Sequence, residues 1–167
     1  GYCVTNTHVV TDSATYAAAR GVIAKIAGES VAATVIALGD DRGGRGRGID
    51  LALIRLARVP RGAQKVTMGD FKDVRNGQTV YVVGNSLGMG TCITKGIVSD
   101  RQRLIEGDVL LMTDCAINPG NSGGPMFDSS ARVIGTIVSG IDNAEGMNFA
   151  IPVDDVKTFL RKAGLRF

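Results

Sequence analysis

The sequence predicts an all-β protein made of two antiparallel barrels with one helix closing the C-terminal end. Three observations carry this reading. Short apolar or β-branched runs recur between turn residues, 23 of the 167 residues are glycine, and a helical apolar period stands out only near the end. The runs fall at 22–26, 31–38, 51–56, 79–83, 92–99, 109–113, 133–139 and 147–151. Gly1-Tyr2-Cys3-Val4-Thr5 also reads as strand, and Ala27-Gly28-Glu29 reads as the turn of a hairpin joining the first two runs. Near the end, Val156, Phe159, Leu160 and Ala163 fall at i, i+3, i+4 and i+7, one face of a helix. Asp154 and Asp155 suit its positive N-terminal end, Arg161 and Lys162 its last turn, and Gly164 its C-terminal cap. The expected division is a remainder of an N-terminal barrel in 1–60, a C-terminal barrel in 71–152 and the helix in 153–164. The break at 58–70 holds Pro60, Gly62 and Gly69.

Composition narrows the function classes. Hydrophobic residues make up 44% and charged residues 21%, which excludes disorder for most of the chain. No apolar run approaches the roughly 18 residues of a membrane-spanning helix, so no membrane insertion is expected. The net charge of +3 is small and dispersed, so neither nucleic acid nor membrane is the expected main partner. The tract Arg42-Gly43-Gly44-Arg45-Gly46-Arg47-Gly48 reads as a solvated loop. Single-strand binding calls for stacking aromatics, and aromatics are only 5% of the chain. Cys3, Cys92 and Cys115 show no Cys-x-x-Cys spacing, so they read as apolar fillers, with Cys115 the one most worth testing for thiol reactivity. Nothing in the sequence calls for a metal or an organic cofactor. No signal peptide is visible at the start, which leaves the compartment open.

The most informative stretch is Asn118-Pro119-Gly120-Asn121-Ser122-Gly123-Gly124-Pro125, which sets a serine among glycines where a substrate can approach the backbone. A serine hydroxyl is a weak nucleophile near neutral pH, so attack on a carbonyl needs a base for its proton and donors for the oxyanion that forms. Amides of Gly120 and Ser122, with Asn121 between them, can converge as that oxyanion hole. The base follows by elimination, because His8 is the only histidine and imidazole suits proton transfer near neutrality. A carboxylate must then hold the imidazole. Of thirteen aspartates Asp50 stands out, because the apolar strand after it would hold its carboxylate at a core edge. Asp12, Asp40 and Asp41 lie in polar turns.

The chain order His8, Asp50, Ser122 is that of chymotrypsin-like enzymes and differs from subtilisins and α/β-hydrolases. At this point four segments resemble the trypsin-like serine peptidases of the HtrA/Deg family. They are Tyr2-Cys3-Val4-Thr5-Asn6-Thr7-His8-Val9-Val10, Ile49-Asp50-Leu51-Ala52-Leu53-Ile54, the serine segment from Thr113-Asp114 to Pro125, and Gly146-Met147-Asn148-Phe149-Ala150-Ile151-Pro152. The resemblance implies two six-stranded β-barrels with the triad His8, Asp50 and Ser122 in the cleft between them. It implies endopeptidase activity on unfolded or damaged polypeptides, and a periplasmic, cell-envelope or secreted setting. Two departures accompany it. The family's first strands, with their Gly-Ser-Gly turn, and its C-terminal peptide-binding PDZ domain are missing from these 167 residues. The first barrel is therefore expected to be incomplete, with an open edge. Homo-oligomers are a family habit that the sequence leaves open here. Asn121 stands where zymogen-activated trypsin-type enzymes carry an aspartate, which excludes activation by an ion pair to a new N-terminus.

Specificity is expected from the wall strand, Ile137, Val138, Ser139 and Gly140, and from a pocket base near Ala116 and Ile117. Neither base residue is charged, so cleavage is expected after small or medium apolar residues. Asn148 replaces a usual glycine and either fills this pocket or adds a hydrogen bond there. Val138 or Ser139, depending on register, is the neighbour expected to support Asp50. The alternative function is a trypsin-fold peptide-binding module that hydrolyses nothing.

Overall fold

The computed structural model describes residues 1–12, 15, 17–26, 28–39, 49–105, 107–140 and 146–166. Among these the strands run in chain order as β1 (Tyr2–Thr5), β2 (Val22–Ile26), β3 (Glu29–Leu38), β4 (Ala52–Leu56), β5 (Thr67–Met68), β6 (Thr79–Gly84), β7 (Cys92–Ile105), β8 (Asp108–Thr113), β9 (Pro125–Asp128), β10 (Arg132–Gly140) and β11 (Asn148–Pro152). A single turn, α1 (Thr7–Val10), and one longer helix, α2 (Val153–Lys162), complete the framework. The Arg-Gly tract, with Asp40 and Asp41, lies outside the described residues.

Antiparallel strands in the order β1-β4-β3-β2 form a four-stranded sheet that curls into a half-barrel. The order β11-β8-β7-β6-β9-β10 forms the second unit. Because β10 also pairs with β11, those six strands close into a barrel, and the short β5 runs parallel to β10 outside the circuit. The all-β class, the second barrel, the incomplete first barrel and the terminal helix all agree with the sequence reading.

Burial explains why β4 shows no alternation. Ala52, Ile54 and Leu56 face the half-barrel core with Val10, Val31 and Ala33. Leu53, together with Leu51 just ahead of the strand, faces the other way and packs on Ile151, Val156, Phe159 and Leu160. A strand covered on both faces is polar only where the cover ends, here at the exposed Arg55. The closed barrel holds its own core of Val80, Val82, Val98, Leu111, Met126, Ile134 and Ile137. The helix ends as its sequence predicts, with the Leu165 amide donating to the Leu160 carbonyl at 3.0 Å and Gly164 at φ +85°.

Two elements differ from expectation. β7 runs on to Ile105, because Asp100 and then Arg103, Leu104 and Ile105 continue the ladder with β8 across a register shift at Arg101 and Gln102, on a largely solvated face. β9 escapes a pattern search because it is four residues long and opens on a proline, which a first strand position tolerates. His8 sits in the helical turn α1 that follows β1, with Thr7 and Val10 turned inward and His8 and Val9 outward.

Candidate active site

The half-barrel supplies two of the candidate residues. Thr7 Oγ1 donates to the Leu51 carbonyl at 2.8 Å, which pins α1 against the entry to β4. His8 Nδ1 then lies 2.6 Å from Asp50 Oδ2, and the His8 amide donates to Asp50 Oδ1 at 3.1 Å. Both carboxylate oxygens thus engage the same residue. A carboxylate only accepts, so the neutral imidazole carries its proton on Nδ1 and presents Nε2 with a lone pair. Asp50 is half-buried and His8 exposed.

The closed barrel supplies the third. Ser122 Oγ donates to the Val138 carbonyl at 3.0 Å. That carbonyl is available because β10 is bulged between Ile137 and Ser139, so Val138 falls out of register with β11. Just after the serine the Gly123 amide donates to the Ile137 carbonyl at 2.8 Å, and the Ile137 amide to the Gly124 carbonyl at 2.9 Å. The serine turn is thereby fixed to the wall strand.

The loop before the serine is held open. The Leu87 amide donates to the Pro119 carbonyl at 2.8 Å. In a trans peptide the carbonyl and the next amide point in opposite directions, so the Gly120 N–H faces away from Leu87. Gly120 has φ +100°, and a Cβ there would lie 2.3 Å from the Asn85 carbonyl oxygen, so both conformation and space demand glycine. Among the described residues no hydrogen bond takes up the Gly120 or the Ser122 amide. Asn121 differs from the sequence expectation. Its amide is committed to the Asn118 carbonyl at 3.0 Å, and its buried side chain accepts from Ser86 Oγ at 3.0 Å. It braces the loop, and its backbone amide is spent inside the loop.

The expected specificity residues divide. Ala116 is exposed and Ile117 half-buried against the barrel core. Ile137 is fully buried in that core, so its side chain does not line a pocket, because the strand's alternation turns it inward. The Val138 side chain packs between the sheets with Leu51 and Phe159 and presents only its carbonyl to Ser122. Ser139 and Gly140 continue β10 opposite Phe149 and Asn148, with the Ser139 side chain outside the description. Asn148 Nδ2 donates to the Cys115 carbonyl at 2.8 Å, so the amide is tied to the serine-bearing segment. Burial pushes the Cys115 thiol up, whereas hydrogen bonding to Ser86 lowers the Cys92 thiol, which places the more reactive sulfur at Cys92 and not at Cys115. No motif marks the Ser86 and Leu87 contacts in advance, since they lie in a short loop between strands.

Comparison with known proteins agrees with this architecture. The family pattern described as a trypsin-like peptidase domain matches residues 1–135. A probable periplasmic serine endoprotease DegP-like from Pseudomonas putida (strain W619) is 34% identical over 173 residues, covering 98% of this chain and 33% of the relative. The protein of the same description from Brucella suis biovar 1 is 39% identical over 163 residues, covering 94% and 29%. The chain therefore spans about a third of the curated relatives it matches. Among solved structures, the HtrA-type protease AlgW with decapeptide superposes with a TM-score of 0.78 at 27% identity, covering 98% of this chain and 48% of that one. The serine endoprotease from Yersinia pestis gives 0.78 at 25%, covering 98% and 53%. A barrel with a bulged wall strand, a half-barrel carrying a histidine–aspartate pair and these likenesses together make the chain a member of the trypsin-like peptidase family, alongside the DegP and HtrA-type serine endoproteases.

Proposed function

We propose that the chain is the peptidase domain of a serine endopeptidase, with Ser122 as nucleophile, His8 as general base and then acid, and Asp50 as the carboxylate that orients His8. The 2.6 Å contact between His8 Nδ1 and Asp50 Oδ2 carries this reading, because it sets the tautomer that a base facing serine needs. In the reaction, Ser122 Oγ turns from the Val138 carbonyl, gives its proton to His8 Nε2 and attacks the peptide carbonyl. The oxyanion settles on the Gly120 and Ser122 amides. His8 then protonates the leaving amine, and water repeats the sequence on the acyl-enzyme.

The substrates are unfolded polypeptides, taken as extended strands beside the wall strand. Ala116 and Ile117 bring no charge to the pocket base, and Asn148, tied to the Cys115 carbonyl, narrows it, which favours small or medium apolar side chains before the cleaved bond. A periplasmic or cell-envelope setting is supported by the names of the relatives, which are probable periplasmic serine endoproteases.

Digestion of a reduced, alkylated protein followed by mass spectrometry of the fragments tests both statements. The proposal expects cleavage after Val, Ala or Leu, and none by Ser122→Ala. Cleavage after Lys or Arg would refute the pocket reading, and cleavage by the variant would refute the mechanism.

A further inference from the structure

We propose that Asn6 is a positioning residue of the triad, its buried carboxamide holding the Asp50 main chain so that the carboxylate meets His8. This rests on the triad reading above. Asn6 has no solvent exposure, and its Nδ2 donates to the Asp50 carbonyl at 2.7 Å. Only the nitrogen end of an amide can donate to a carbonyl, so the orientation of the side chain is fixed. Asn6 Oδ1 is then a buried acceptor with no partner among the described residues.

Two features separate this arrangement from ordinary structural use. An asparagine directly before a helical turn usually caps it with its side chain, and Asn6 occupies that position before α1 at φ −86° and ψ 154°. Its side chain makes no such cap, and reaches across to Asp50 instead. An unpaired buried acceptor also opposes folding. The carboxamide is therefore placed where it neither caps the turn nor satisfies its own oxygen, yet it touches the segment that carries the aspartate.

Asn6 also meets the other two segments. Its carbonyl accepts from the Val9 amide at 3.3 Å and so starts the turn that bears His8. A Cβ on Gly123, the residue after Ser122, would lie 3.0 Å from the Asn6 nitrogen and 2.3 Å from Thr5 Oγ1. The histidine, aspartate and serine segments therefore converge on one residue. A shift at Asn6 moves the Asp50 backbone relative to α1 and loosens the pair that the mechanism needs tight.

The test compares Asn6→Leu, which keeps the branched shape and loses the donor, and Asn6→Asp, which keeps size and shape and turns the donor into an acceptor. Wild type and Ser122→Ala run in parallel, with a fluorogenic peptide substrate and active-site titration to count competent molecules. Per competent molecule, kcat is expected to fall by about 10- to 100-fold in both Asn6 variants with KM nearly unchanged. The acid limb of kcat/KM is expected to move to lower pH by roughly half a unit, because a looser Asp50 supports the imidazolium less. Unchanged kcat and pH midpoint would overturn the proposal. So would a loss explained by the competent fraction with the midpoint unmoved, and so would failure of both variants to fold, since each assigns Asn6 to the fold alone. Turnover by Ser122→Ala is a different result and would overturn the triad reading itself.

Discussion

The backbone amide of Leu87 holds the carbonyl of Pro119 at 2.8 Å, and this contact sets the direction of the Gly120 amide. Leu87 adopts φ +54°, an uncommon conformation for leucine, within the 3₁₀ turn Ser86–Gly88. A loop between β6 and β7 thus fixes a peptide plane beside the candidate nucleophile. Gly120→Ala is expected to break the arrangement, because its Cβ collides with the Asn85 carbonyl. Losing one oxyanion donor costs about 100-fold or more in kcat, with little change in KM. Steady-state kinetics on a peptide ester, with thermal melting to confirm folding, checks this.

Asp50→Asn is expected to keep the fold and lower kcat by roughly 1,000- to 10,000-fold, because an amide beside Nδ1 favours the wrong tautomer. In the unaltered chain, kcat/KM is expected to rise with pH as the imidazolium of His8 loses its Nε2 proton. A pH series on both forms gives the measurement, and a flat wild-type profile would remove His8 from the reaction.

Much of this geometry was legible in the sequence. The apolar run after Asp50 pointed to a strand that sets the carboxylate at a core edge, and the structure packs Leu51 and Leu53 into one core and Ala52 and Ile54 into another. Choosing Asp50 as the partner of His8 rested on that strand and on a family resemblance, and the two side chains do meet. Other features were hidden because they depend on tertiary register. Nothing local reveals the bulge that exposes the Val138 carbonyl while sending Ile137 into the core. Nor does local sequence reveal that Asn121 turns inward to Ser86, or that Asn6 ignores its own helical turn.

Away from the site, Asp128 gives the fold an acid-sensitive clasp. Burial raises its carboxyl, but donors from the Arg132 backbone and side chain and the Ser130 amide, at 2.8 to 2.9 Å, outweigh this and hold it below the usual carboxylate range. A carboxyl depressed in the folded state contributes stability above its unfolded value of about 3.9 and loses it as pH falls through the folded one. Asp128→Asn is expected to lower stability at pH 7 by about 1 to 3 kcal/mol and to flatten the dependence below pH 4. Chemical denaturation at several pH values tests the sign.

Thiol chemistry follows from the two opposite cysteine environments. Under native conditions iodoacetamide is expected to modify Cys92 first and Cys115 last, because the first is lowered by Ser86 and the second is buried. Mass spectrometry of peptides from a timed reaction reads the order, and early modification of Cys115 would contradict it.

Labelling with a fluorophosphonate probe tests the central claim most directly, because the probe reacts only where a serine, a base and an oxyanion hole are assembled together. The account predicts that the folded chain is labelled at Ser122 and that Ser122→Ala is not. Absence of labelling on the folded wild type, or equal labelling of both, would contradict it.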